Sequence, residues 1–343
     1  MCTGIRLKAA DGAVVYGRTQ EWGAFDLMSD VLIVPRNLAM KSLMPGGQKG
    51  AHWQSRHGLV GLNGLKRPYI IDGVNEKGLA CGAFYLPGFA KYEAYTPENL
   101  DIAINSLEVV HYILSVCENV ADVKEALQKV KVVNVVFKEI GICPPLHYIV
   151  TDPNGESLVI EYVDQGELKF YDNPLGVITN APTFDWHLTN LRNYVNLSPV
   201  AVPPKKLDDI SFAPLGAGSG FLGLPGDFTP PSRFVRAVAF TQTARRTKDG
   251  IDAVQELFRI LDNFNIGVGM AEGSDLQQDF PLKGATQWTT AIDTKNLIFY
   301  YHTCWNRRLR KLDLKAIDFG GDEIVTIPMD EERIEDMQDI TPQ

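Results

Sequence analysis

The chain has few cysteines and no cysteine pattern. The five, Cys2, Cys81, Cys117, Cys143 and Cys304, form no CxxC pair and no Cys/His ladder, which argues against a structural zinc site. An odd, scattered set in a chain of 343 residues reads as reduced thiols rather than a disulfide framework. A chain of this length buries enough apolar surface to need no such staple. Long hydrophobic runs are also missing. No stretch approaches the roughly 20 apolar residues that span a bilayer, and the N-terminus carries neither the charged nor the apolar part of a signal peptide. The expected location is cytoplasmic, or periplasmic if a signal has been removed. Positive charge is scarce too: 33 Lys and Arg stand against 42 Asp and Glu, a net charge of −9. That excludes a binder of the nucleic-acid backbone. The deficit is concentrated, because residues 321–343 hold eight acids and one base, Arg333. Such a run reads as a solvated acidic tail or last helix outside the catalytic unit.

What the chain does contain is hairpin punctuation. Asp11-Gly12 sits between the strand-like runs Thr3–Ala9 and Ala13–Arg18, the strongest two-residue hairpin signal. Asn75–Gly78, Asp152–Gly155 and Asp293–Asn296 separate three further pairs of runs: Tyr69–Val74 with Leu79–Leu86, Leu146–Val150 with Ser157–Val163, and Gln287–Ile292 with Leu297–Thr303. Between them, helical spacing links Leu107, Val110, Leu114 and Cys117, then Val123, Ala126, Leu127 and Val130, and later covers Phe234–Phe240 and Ile251–Leu261. Strands, helices, strands, helices, strands in that order predict an α+β sandwich, with helices outside packed antiparallel sheets. Residues 196–232 are rich in Pro, Gly and Ser and read as long loops. With no repeat and no linker, residues 2–343 are expected to form one catalytic domain.

Cys2 directly follows the initiator Met, whose removal would leave one residue carrying both a thiol and an α-amine. An N-terminal amine is an established base for such a nucleophile. A two-residue loop at Asp11-Gly12 would place Cys2 opposite Glu21, within reach of a charge-assisted hydrogen bond. Arg18 would favour the thiolate. A spacing of three puts Arg18 and Glu21 on opposite faces of a strand, so a bulge near Thr19-Gln20 is expected to turn one of them.

Cys2-Thr3, Gly17-Arg18 with Glu21-Trp22, Asn75-Glu76-Lys77-Gly78-Leu79, Thr179-Asn180-Ala181-Pro182-Thr183-Phe184 and Ser232-Arg233-Phe234-Val235-Arg236 together resemble the choloylglycine hydrolase family of bile salt hydrolases and penicillin V acylases. The motifs come in the family's order, and the hairpin around Thr286–Cys304 is similar to it as well. The resemblance implies a four-layer αββα sandwich, the Ntn-hydrolase fold, and an amidohydrolase that needs no metal or cofactor. It implies Cys2 as nucleophile, Arg18 beside the thiol, and Glu21 where the family usually has Asp. It also implies Asn180 and the Tyr85 N–H as oxyanion donors, and Arg233 supporting the charges around them. Tyr85 stands where bile salt hydrolases carry Asn and penicillin V acylases commonly carry Tyr. With Trp22, it points to an aromatic acyl pocket and ranks penicillin V acylase-like cleavage of a linear N-acyl amide first. Conjugated bile salts and N-acyl homoserine lactones come next, and the rival from another class is a catalytically silent binding protein on the same fold. The family commonly forms homotetramers, so a homo-oligomer is expected, with no nucleic-acid or membrane partner.

Other groups carry weaker signals. The six histidines lack metal spacing, His52 and His57 included. Asp185-Trp186-His187 is expected at the pocket rim or behind Asn180. Gly216, Gly218 and Gly220 read as a flexible loop, and Arg307–Lys311 as a patch that meets acids of the same chain or of an interface.

Overall fold

The computed structural model describes residues 1–22, 26–44, 47–138, 140–271 and 284–342. Two antiparallel sheets stack face to face. The first has six strands in the order Val177–Ile178, Cys2–Lys8, Val14–Trp22, Ala285–Asp293, Ile298–Thr303, Arg310–Asp313. The second has eight: Glu167–Asp172, Ser157–Val163, Leu146–Thr151, Ala80–Tyr85, Asp72–Asn75, Leu59–Leu62, Asp30–Val34 and Val325–Pro328. Helices α1 (Val109–Val116) and α2 (Val120–Leu127) lie on the second sheet's side, α3 (Phe184–Asn190) follows the last motif strand, and α4 (Pro230–Thr243) and α5 (Gly250–Leu261) cover the first sheet.

One apolar cluster joins the sheets to each other and to α4 and α5 through Ile5, Val74, Phe84, Phe234 and Leu257; a second joins the eight-stranded sheet to α1 and α2. Val14–Trp22 is therefore covered on both faces, and its residues are buried up to Glu21 without alternation, the pattern of a strand inside a layered core. Gly17 is required there, since a Cβ would lie 2.3 Å from the Thr290 carbonyl oxygen. Helix α5 forms where Ala253, Val254, Leu257, Phe258 and Leu261 recur on one buried face, and the Asp249 side chain caps it by accepting from Asp252 N–H.

All four expected hairpins and both helical pairs are present. The first hairpin differs in register. The chain turns over three residues, Ala10–Gly12: Ala9 N–H donates to the Ala13 carbonyl, Asp11 Oδ1 accepts from Ala13 N–H, and Gly12 takes φ 83°. Three-residue loops with a left-handed last residue are the next choice after two-residue turns. Cys2 consequently faces Gln20, not Glu21, and Gly4 faces Arg18. The bulge expected on the Arg18–Glu21 strand sits in its neighbour, between Thr286 and Trp288.

Residues 196–232 are mostly irregular, but they include the hairpin Lys205–Leu207/Ile210–Phe212 and the first turn of α4. The acidic end is neither helix nor free tail. Val325–Pro328 pairs with Asp30–Val34. The basic cluster meets the acids downstream through Arg308–Asp336 and Arg310–Asp330, and Arg333 pairs with Asp26.

Candidate active site

Cys2, Gly4, Arg18 and Gln20 share the face of the first sheet that looks at the second. Cys2 is 1% exposed, and its Sγ lies 3.8 Å from Gln20 Oε1. The Arg18 guanidinium is fully buried; it donates to Gln20 Oε1, to the Ala83 carbonyl and, at 3.3 Å, to the Thr19 carbonyl. It also lies over the Phe84 ring at 4.1 Å. Burial opposes its charge, but the electrostatic pull of the neighbouring groups, Asp72 among them, outweighs this and raises its proton affinity. Asp72, on the second sheet, accepts from Tyr16 Oη at 3.1 Å and Thr290 Oγ1 at 2.8 Å. Burial pushes its carboxyl up to about 6 against the pull of Arg18.

Thr3, Thr19 and Glu21 occupy the opposite, helix-facing side. Glu21 is buried; Oε1 accepts from Thr286 Oγ1 at 2.9 Å, and Oε2 has no hydrogen-bond partner among the described residues. Burial raises its pKa, with the N-terminal ammonium and Arg233 opposing. Arg233 reaches down from the first turn of α4 and donates to the Cys2 carbonyl, to Thr3 Oγ1 (2.9 Å), to Asn180 Oδ1 (2.7 Å) and to the Phe228 carbonyl (2.8 Å). Asn180 Oδ1 also accepts from Cys2 N–H at 2.8 Å. Its amide group donates to the Tyr85 carbonyl at 2.7 Å, which leaves one of its two N–H bonds for another acceptor. Leu86 N–H donates to the Pro145 carbonyl, so Tyr85 and Leu146 form a non-hydrogen-bonded pair, and the Tyr85 N–H and C=O both turn away from the strand Leu146–Thr151.

The Asn180 segment is held from behind. His187 Nε2 lies 2.9 Å from the Asn180 carbonyl, and its ring stacks on Phe234. Burial lowers its pKa to about 4, so the neutral ring donates there. His147 bridges the Thr179 carbonyl (3.2 Å) and Glu161 (3.1 Å), and Glu161 accepts from Phe184 N–H at 2.9 Å. Asp185 and Trp186 precede this anchor on α3.

The expected residues thus converge: Cys2, Arg18, Tyr85, Asn180 and Arg233 join in one network, with Glu21 on its helix-facing side. Beside Sγ opens an apolar cavity of about 80 Å³, lined by Trp22, Leu27, Leu65, Ile71, Tyr85 and Leu146 among others. Trp22 and Tyr85 meet edge to face at 5.5 Å. Reading the sequence missed Gln20, Asp72 and Thr286. Gln20 was within reach had the hairpin been counted with three loop residues. The other two come from strands distant in sequence, for which no local signal exists. Among the described residues no group of three or more His, Cys, Asp or Glu side chains is placed to hold a metal ion, and no helix is long and apolar enough to cross a membrane.

The family described as linear amide C–N hydrolases, choloylglycine hydrolase family, matches residues 2–327. The chain belongs to this family. It is 35% identical over 333 residues, 95% of this chain and 96% of the other, to a bile salt hydrolase/transferase of Clostridium perfringens. It is 27% identical to a penicillin V acylase of Pectobacterium atrosepticum, over 89% of this chain and 78% of that one. The crystal structure of the C2A mutant of the conjugated bile acid hydrolase from Clostridium perfringens superposes with a TM-score of 0.86 at 29% identity, covering 99% of this chain and all of that one. As a member of the choloylglycine hydrolase family with this architecture, the protein is a hydrolase of linear amide C–N bonds on the αββα Ntn-hydrolase fold.

Proposed function

We propose that Cys2, freed of Met1, is the nucleophile of an N-terminal amidohydrolase acting on a linear N-acyl amide. The observation that carries this is the contact of Cys2 N–H with Asn180 Oδ1, which Arg233 also holds. Loss of Met1 turns that nitrogen into an α-amine. The amine takes the thiol proton, and the thiolate attacks the amide carbonyl carbon. The spare Asn180 N–H and the Tyr85 N–H receive the developing oxyanion, each such donor contributing about 3 kcal/mol to barrier lowering. The C–N bond breaks as the α-ammonium protonates the leaving amine. Water, deprotonated by the amine, then cleaves the thioester, releases the acid and restores the thiol. Met1 here extends the strand, exchanging backbone hydrogen bonds with Glu21, so its removal opens the edge beside Cys2.

For the acyl group, the narrow cavity with the Trp22–Tyr85 pair favours a phenoxyacetyl or linear acyl chain. At about 80 Å³ it is far smaller than the several hundred Å³ of a pocket that engulfs a drug-sized ligand. The second reading is conjugated bile salt hydrolysis, favoured by the 35% identical relative. A panel of penicillin V, acyl homoserine lactones and glycine- and taurine-conjugated bile salts, run on wild type and Cys2→Ala, tests both. Turnover of penicillin V above the bile salts supports the first acyl reading, and the reverse order selects the second. Cys2→Ala should lose at least about 1,000-fold in turnover; retained turnover sinks the nucleophile assignment. A homo-oligomer belongs to the same proposal. The hairpin Lys205–Leu207/Ile210–Phe212 is exposed along both strands, with Leu207, Ile210 and Phe212 each over half exposed. An isolated two-stranded hairpin is marginal in water, so a second copy of this chain is its partner. Sedimentation of wild type and Phe212→Ser tests it, a wild-type monomer refuting the contact.

A further inference from the structure

We infer that Gln20 is a positioning residue that holds the Cys2 side chain in its thiol form and couples it to Arg18. The inference rests on the reading of Cys2 as nucleophile and adds a residue to it. Two contacts meet at one atom: Gln20 Oε1 accepts from the Arg18 guanidinium and lies 3.8 Å from Cys2 Sγ. A guanidinium has only donors. The amide oxygen, not the amide nitrogen, must therefore face Arg18, which settles the orientation of a group that is otherwise ambiguous. The same oxygen faces sulfur, so sulfur has to be the donor. An S–H makes a weak bond to Oε1, whereas a thiolate in that position would confront the negative end of a carbonyl dipole.

Gln20 and Arg18 thus act on the sulfur in opposite senses. The buried guanidinium favours negative charge at Sγ, and the oxygen it polarises disfavours it. Gln20 is only 7% exposed and borders the apolar cavity, so solvent does not dilute either effect. The side chain is pinned on the inter-sheet side by its contact with Oε1, while its own nitrogen is fixed from the other direction by Asn180. Attack requires sulfur to leave Oε1 as its proton passes to the amine. No covalent bond to Gln20 forms or breaks.

The test is the iodoacetamide alkylation rate of Cys2 between pH 5 and 9, with the modified cysteine identified by peptide mass, in Gln20→Met and Gln20→Glu. Methionine fills a similar volume without the acceptor, and Cys2 should alkylate about three- to tenfold faster at neutral pH, the range a single hydrogen bond supports. Glutamate keeps the bridge to Arg18 but adds a full negative charge, and alkylation should slow at least as much. An unchanged or slower Gln20→Met, or an unchanged or faster Gln20→Glu, overturns the inference. If one variant does not fold, the other decides alone. A packing role alone would leave the alkylation profile in place. Failure of the nucleophile reading shows separately, as turnover surviving in Cys2→Ala.

Discussion

The two faces of the strand Val14–Trp22 solve one electrostatic problem differently. Each buries an arginine and a carboxylate. Between the sheets these are Arg18 and Asp72; beneath the helices they are Arg233 and Glu21. In both cases the arginine spends its N–H groups on neutral oxygens, and the carboxylate is raised by burial rather than lowered by a tight ion pair. The difference lies in what each arginine touches. Arg18 reaches Gln20, whose Oε1 lies beside Cys2 Sγ. Arg233 ties α4 to the first strand and to the Asn180 segment, so it acts on the nitrogen and on the architecture together. One face meets the Cys2 sulfur, and the other meets its nitrogen.

The sharpest break of this comparison is Arg233→Met. It removes a donor from three buried acceptors, the Cys2 carbonyl, Thr3 Oγ1 and Asn180 Oδ1, and from the half-buried Phe228 carbonyl, and loss of one member of a buried charged network costs about 3–5 kcal/mol. Chemical denaturation should show that loss, with turnover down by about 100-fold. Arg18→Met should cost less stability and instead slow Cys2 alkylation; equal stability losses would erase the distinction.

Asp72 comes next. Its carboxyl binds its proton more tightly in the folded state, at about 6 against an ordinary 3.8. Ionisation therefore opposes folding: stability falls as pH rises from 3.8 to 6 and is level above. The difference amounts to about 3 kcal/mol. In Asp72→Asn that slope should disappear from denaturation midpoints measured between pH 4 and 7.

Glu21→Gln gives the smaller counterpart. Its pKa is also raised, so the cost is absent below the ordinary 4.5 and grows as pH climbs through the folded-state value. The variant should melt above wild type at pH 8 and match it at pH 4; a lower melting temperature at pH 8 would mean that the carboxylate is needed for packing with Thr286. Smallest of all is Arg308→Ala. Its pair with Asp336 is exposed on both sides, where such contacts contribute under about 1 kcal/mol, and calorimetry should register almost no change. A large loss there would show that the acidic end is held by more than its strand.

The hairpins and amphipathic helices were legible because they are written in local turn residues and short apolar periods. The central strands were harder. Val14–Trp22 has no alternation, since both its faces are covered; the spacing of three does put Arg18 and Glu21 on opposite faces, but only the packed layers show that no bulge on this strand brings them back together. Cys2, Arg18, Asn180 and Arg233 could be named from their motifs, but the partner facing Cys2 could not. One extra loop residue at Ala10–Gly12 replaces Glu21 with Gln20, and the choice between two- and three-residue turns is a matter of small energies at Asp11 and Gly12. At the acidic end, the basic patch meets acids of the same chain as its sequence suggests, through Arg308–Asp336 and Arg310–Asp330, but charge counts along the chain cannot reveal that Val325–Pro328 adds a strand to the eight-stranded sheet.

The sequence by itself determined the layers, the four hairpins, the candidate nucleophile and the family, because each depends on residues close together or on motifs kept in order. Tertiary structure alone decided which groups surround the Cys2 sulfur and which surround its nitrogen. Asp72, Thr286, Asn180 and Arg233 arrive from separate strands, a loop and a helix. Their positions follow from how two sheets stack and how α4 crosses the first, a matter of core packing that no local stretch encodes.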